Sequence, residues 1–309
     1  MWRATWPALV LVLFATSGRG QSLALTFDDG LDPRAQPEAA AWNQSILDGL
    51  ARANVRSMLL PACNRVESVE GMRLVHAWAR AGHSIANHTF SHWNLASREV
   101  TAEAFIADVE KCDRLLRELQ GWTPRLRFPY LKEGDTVEKR DAVRQWLTRN
   151  GYRAAPVSID ASDWYYNDRF LAWRKSHPNG DVAAYRDAYL AHLWDRANYY
   201  DGLSKRVLRR AVKHVLLLHT NAINATFISD VIAMFRSRGW TIVGAEEAFG
   251  DPAYASAPDT IPAGESILWA LAKQAGVEGL RYPPEDGVYE EALLTELEST
   301  LRRQPYLNR

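Results

Sequence analysis

Short apolar runs alternate with longer stretches of helical period along most of the chain. Residues 23–27, 55–60, 83–87, 126–128, 153–159, 214–218 and 240–243 are compact and apolar enough to predict strands. Between them, residues 38–53, 71–81, 101–119, 137–150, 185–212 and 225–238 carry the spacing of helices that bury one face. Near-continuous apolar strands belong to a sheet covered on both sides, and alternation with helices makes that sheet parallel. The pattern fits either an open doubly wound sheet or a closed barrel. No internal repeat or low-complexity segment interrupts it.

Polar residues suited to chemistry fall repeatedly just after these runs: Asp28 and Asp29, His88 and His92, Arg127, Asp160 and Asp163, and His219. In a parallel barrel the carboxyl ends of the strands share one rim, where active sites lie, so residues spread from 28 to 219 can converge. Adjacent carboxylates repel, and a cation is the usual device that lets both ionise. His88 and His92, four apart, face the same way if their segment turns helically, which suits a divalent metal site. The plain alternative is two loop histidines satisfying backbone groups. Arg127 could hold a carboxylate in place. Because Pro129 lacks an N–H, the Tyr130 amide is the next one free to point into a cleft. His219 with a carboxylate beside it makes a general acid, and otherwise a buried structural histidine. His83, at a strand start, reads as structural.

The 309 residues carry 37 basic and 37 acidic side chains, so no basic patch for nucleic acid is implied. Arg3, the apolar residues 7–14 and the small residues 15–20 have the layout of a secretory signal peptide. The apolar run is shorter than the ~20 residues of a bilayer span. Cleavage near residue 20 removes Arg3 and Arg19 and leaves a slight acidic excess. The expectation is an exported protein, periplasmic or secreted, with no stable membrane span after cleavage. What remains is enough for one large α/β domain or two small ones. Cys63 and Cys112 are too few for a disulfide scaffold or a cysteine zinc cluster, and their spacing leaves their pairing open.

Five segments together carry a resemblance: Thr26-Phe27-Asp28-Asp29-Gly30, His88-Thr89-Phe90-Ser91-His92, Arg127-Phe128-Pro129-Tyr130, Asp160 to Trp164, and Leu217-Leu218-His219. In order and rough spacing they resemble the five motifs of the polysaccharide deacetylases, the NodB-type enzymes of carbohydrate esterase family 4, over about residues 21–250. The resemblance implies a distorted (β/α) barrel with a groove on the strand-end face. It also implies a metal-dependent hydrolase that removes acetyl groups from an N-acetylated or O-acetylated glycan or oligosaccharide. Carried over residue by residue, Asp29, His88 and His92 become metal ligands. Asp28 becomes the base that takes a proton from the metal-bound attacking water, oriented by Arg127. His219, paired with Asp163, becomes the general acid. Trp164 and Leu217 shape the pocket for the acetyl methyl, and the Tyr130 amide meets the oxyanion. Two histidines and one carboxylate favour zinc, with cobalt, nickel or manganese tolerated. Two other readings stand beside this one: an inactive sugar-binding relative, and a deacetylase-like amidase acting on a non-sugar amide.

The chain departs from the family pattern in three places. Phe128 replaces a familiar proline, and Leu131-Lys132-Glu133-Gly134 after the tyrosine imply a longer or differently turned loop. A helical insertion at about 165–213 holds Tyr185, Tyr189, His192, Trp194, Tyr199 and Tyr200, which could stack on sugar rings. The helical spacing of Tyr185, Tyr189, Leu193 and Arg196 favours packing on the barrel instead. Beyond the last expected strand, residues 251–309 read as a short packed extension with helices at 266–273 and 289–301. It is too short and strand-poor for an independent carbohydrate-binding module.

Overall fold

Seven parallel strands form one curled sheet around β1 (Ser22–Asp29). In the computed structural model, which describes residues 20–281, 287 and 290–303, they alternate with helices as the apolar pattern requires. The expected signal peptide lies, but for Gly20, outside the described residues. Among the described residues no helix is long and apolar enough to cross a membrane. After β1 come α1 (Ala39–Arg52), β2 (Met58–Pro61), α2 (Cys63–Val66), α3 (Val69–Arg80), β3 (Ser84–Asn87), α4 (Ala102–Leu116) and β4 (Trp122–Leu126). There follow β5 (Lys132–Gly134), α5 (Val137–Arg149), β6 (Arg153–Ala154), α6 (Asp163–Ser176), α7 (Ala183–Leu208), β7 (Lys213–His219), α8 (Ala222–Ser237), β8 (Thr241–Ile242) and α9 (Ala245–Phe249). The chain continues with β9 (Ala263–Gly264), α10 (Ile267–Gln274) and α11 (Glu291–Arg303).

The strand order is β6-β4-β3-β2-β1-β7, with β8 pairing the start of β1. Leu23, Ala24, Leu25 and Phe27 are wholly buried, as a strand covered on both faces demands. The parallel register sets Asp28 opposite His219 and Asp29 opposite Pro61. Asn87 pairs Leu126, so the strand ends carrying His88 and Arg127 emerge together. Residues 153–160 then close the ring. Ala155 N–H donates to Leu126 O at the β4 edge, while Ile159 bridges Leu216 of β7. The result is a distorted (β/α) barrel.

Two strands differ from their sequence expectations for local reasons. The apolar run 153–159 is a regular strand only over its first two residues, since Pro156 has no N–H to give a neighbour. β4 starts four residues earlier than its apolar pattern suggests, and Pro124 inside it accompanies a register slip between Ile85 and Asn87. The helical insertion expected at about 165–213 opens with α6, which has no separate signal of its own: its aromatic residues fall all round the axis, so no single apolar stripe announces it.

Tyr185, Tyr189 and Tyr200 of α7 belong to the core, with Trp194 and Tyr199 half-buried against it. Tyr185, Tyr189, Leu193, Arg196 and Tyr200 are buried against the barrel, which removes the sugar-stacking alternative for them. The C-terminal extension does contain a strand: β9 pairs antiparallel with β5, the segment after Tyr130. Gly264 permits this, because a Cβ there would sit 1.9 Å from Leu131 O. Cys63 and Cys112 form a disulfide that ties α2 to α4.

Candidate active site

The two acids that end β1 face different surroundings. Asp28 is buried, and Arg127 Nη1 donates to both its oxygens at 3.1 and 3.0 Å. Arg127 is itself buried; its Nη2 donates to Thr26 Oγ1 at 3.2 Å and its Nε to Ala155 O. Burial pushes the Asp28 carboxyl up to about 6 against the pull of Arg127. Asp29 has positive φ (79°), which re-aims its carboxylate away from that pair. Its Oδ2 meets Arg65 Nη1 at 3.1 Å. Its Oδ1 is buried without a hydrogen bond, 3.2 Å from His92 Nε2 and 3.7 Å from His88 Nε2. Although burial works against it, His92, His219 and Arg65 hold Asp29 ionised far below the usual carboxylate range.

The histidine loop owes its shape to turns, not to a helix. Thr89 and His92 take left-handed backbone (φ 66° and 59°), and Thr89 Oγ1 accepts from His92 N–H at 3.0 Å. Asn87 Oδ1 accepts from Thr89 N–H at 2.8 Å, and Asp108 of α4 accepts from Phe90 N–H, Ser91 N–H and Ser91 Oγ–H. Helical spacing therefore brought the two imidazoles together on paper by the wrong route. His88 Nδ1–H donates to Arg127 O at 2.8 Å, which leaves the Nε2 lone pair toward Asp29. Burial, and then His92, drive His88 well below its ordinary pKa, so it is neutral.

One carboxylate oxygen and two imidazole nitrogens of Asp29, His88 and His92 thus lie within 4.8 Å of one another. An orphaned, buried carboxylate oxygen between a neutral imidazole and a second one is a donor set that fits a divalent cation.

Across the cavity, Asp163 begins α6 and is fully buried. His219 Nδ1–H donates to its Oδ1 at 2.6 Å and His219 N–H to its Oδ2 at 2.7 Å. Asn221 and Asn224 donate to Oδ2 at 3.0 and 2.7 Å, and Asn221 also caps α8. Burial disfavours charge on His219, but Asp163, with help from Asp29 and Asp28, pushes its pKa up to about 10.

Asp28, Asp29, His88, His92 and His219 line one cavity of about 430 Å³, together with Trp164, Leu217 and Tyr130, while Arg127 and Asp163 are buried behind Asp28 and His219. All ten residues singled out by motif are brought to it or to its immediate wall. His83 lies away from it, its Nδ1 accepting from Ser57 N–H at 3.1 Å. The sequence reading missed Arg65, Asp108, Asn221, Asn224 and Thr26, which hold the named residues in place. Their sequence signals were slight: Thr26 lies within the first motif segment, and Asn221 and Asn224 stand just ahead of the helical stretch 225–238, where a cap is expected. Among the described residues, five of the nine non-glycine residues with positive φ fall in the motif segments, Asp29, Thr89, His92, Tyr130 and Ser162, and Leu131 directly follows one. Such conformations cost about 1–3 kcal/mol each and gather where geometry is constrained by function.

The family model for polysaccharide deacetylases matches residues 15–155. Over these residues, somewhat under half of the chain, the sequence is similar to the polysaccharide deacetylases. A peptidoglycan-N-acetylglucosamine deacetylase of Bacillus cereus is 30% identical over 161 residues, 52% of this chain and 52% of that protein. The chain therefore spans about half the length of that curated relative. Among solved structures, a mutant of a CE4 family pseudoenzyme with restored enzymatic activity shares 14% identity. It covers 74% of this chain and 68% of its own, with a TM-score of 0.52. A Streptococcus mutans CE4 esterase shares 19% identity over 73% of this chain and 86% of its own, with a TM-score of 0.51. These likenesses place the fold with the carbohydrate esterase barrels. The family match stops before Asp163 and His219, which join the site through the fold.

Proposed function

We propose that the chain is a metal-dependent deacetylase of N-acetylated or O-acetylated carbohydrate, acting after export. The observation that carries this is the division of the acid pair: Asp29 Oδ1 is buried, unpaired and aimed between two imidazole Nε2 atoms, while Asp28 is clamped by Arg127. Asp29, His88 and His92 would hold a divalent cation, most naturally zinc, which when bound would lend Lewis-acid charge to an acetyl carbonyl and to the attacking water. Asp28 takes the proton from that water, its basicity set by burial against Arg127. His219, protonated and anchored at Nδ1 by Asp163, gives a proton to the departing nitrogen or oxygen. Tyr130, which has left-handed backbone and lines the cavity, would offer its amide to the developing oxyanion. Trp164 and Leu217 bound the space for the methyl group.

The residues of an inactive relative would lack a ligand or an acid or base group. Here all of them are present and assembled, which favours the enzyme. Acetate release from N-acetylglucosamine oligomers, peptidoglycan fragments and acetylated xylan, measured before and after chelation, tests the proposal. Release that chelation abolishes and zinc restores is expected. Absence of release from every acetylated glycan, with no metal retained on purification, would overturn it.

A further inference from the structure

The buried carboxylate of Glu290, in the C-terminal extension, has no part in the chemistry above, yet it reaches the residue next to Asp163. Glu290 is wholly buried, and Ser162 Oγ–H donates to its Oε1 at 2.8 Å. Ser162 is the residue before α6, buried, with left-handed backbone (φ 45°, ψ 32°) and no side-chain bond to the helix it precedes. A serine in this place ordinarily turns its hydroxyl onto the first amides of the helix. Glu290 takes that hydroxyl instead and so fixes the turn from which Asp163 departs toward His219.

The neighbouring contacts share this purpose. His192 of α7 donates Nε2–H to Ala161 O at 2.7 Å and stands 3.7 Å from Glu290 Oε1, so the two residues before Asp163 are both pinned from behind. Gly287 lies against the Tyr165 ring, where a Cβ would come within 2.5 Å of Cε2. Arg169, further along α6, pairs with Glu291 at 3.1 Å and Glu298 at 2.9 Å. Leu294 is buried in the main core. The extension is thus joined to the helix that carries Asp163 and Trp164. Burying a carboxylate is costly, and an apolar residue would pack this tail with less penalty. A positional role explains the carboxylate where packing alone does not.

We propose that Glu290 is a positioning residue for the His219–Asp163 pair, acting through Ser162, so that the C-terminal extension completes the proposed active site. This rests on the reading of His219 as the acid. Glu290→Ala should lower kcat on an N-acetyl glycan about tenfold or more, a share of the 10²–10⁴ attributable to a positioned acid. Its kcat on an activated aryl acetate, which leaves without a proton, should change little, with KM unaltered on both. Glu290→Gln keeps an acceptor for Ser162 and should retain most activity. Ser162→Ala breaks the same bond from the other end and serves if Glu290→Ala does not fold. Equal losses on both substrates, or none, would overturn the proposal. Should the unsubstituted protein release no acetate at all, the functional reading fails separately. The far-downfield proton of His219 Nδ1 then decides the positional claim: it should broaden or shift in Glu290→Ala and Ser162→Ala, and an unchanged resonance would refute it.

Discussion

In its proposed role as acid, His219 matters in proportion to how badly the leaving group needs a proton. An amide nitrogen departs as a strong base unless protonated, whereas an activated aryl oxide leaves unaided. His219→Ala should therefore cost about 10²–10⁴ in kcat on an N-acetyl glycan and far less on an aryl acetate, read by parallel acetate and chromophore assays; equal losses would remove His219 from that role. At this scale the sequence was most legible where chemistry demands a residue type, as with Asp28, His88 or His219. It was least legible where a residue acts only by position. Arg65 reads as an ordinary helix-surface arginine until the fold sets it 3.1 Å from Asp29. Asn224 lies inside α8 with nothing local to show that its side chain crosses to Asp163.

Elements hold the site through links between segments distant in sequence. The Cys63–Cys112 disulfide fastens α2 to α4, and the same α2 donates backbone hydrogen bonds to the histidine loop, Cys63 N–H to Thr89 O and Asn64 N–H to Phe90 O. With the cysteines 49 positions apart, chain-entropy reasoning puts the bond's contribution at about 4 kcal/mol. Replacing both cysteines with alanine should lower unfolding stability by roughly that amount in denaturant titrations. It should also weaken cation retention, because His88 and His92 lose their backing; stability within about 0.5 kcal/mol of the original would contradict the account. Strand and helix identity followed largely from apolar period. The exceptions have physical causes: Pro156 cuts a strand short, α6 spreads its aromatic residues round the axis without a single apolar stripe, and the β5–β9 pair is too short and polar to signal itself.

Over the whole molecule, acidity should act through buried histidines as well as through the site. His83 accepts from Ser57 N–H with Nδ1, so protonation sets two donors face to face. Burial, reinforced by Arg56, pushes its pKa down to about 4 from an ordinary 6.5. As pH falls between these values the unfolded chain binds the proton first, so stability is full above 6.5 and lost on the way down to 4. The loss between pH 7 and pH 5 should be about 2 kcal/mol. His83→Asn, which keeps an acceptor without the titration, should flatten that slope in denaturant melts at the two pH values; an identical slope would dismiss His83 as its source. The barrel as a whole does something no single motif can, gathering the ends of β1, β3, β4 and β7 so that neighbouring acids acquire separate partners, to which the proposed function gives separate tasks. Zinc titration of metal-stripped Asp28→Asn and Asp29→Asn proteins measures that division most directly. Asp28→Asn should bind zinc as the unsubstituted chain does while losing turnover, and Asp29→Asn should bind at least about 100-fold more weakly, beyond what loss of an outer-shell partner costs. Weak binding by Asp28→Asn with near-normal binding by Asp29→Asn would contradict the account.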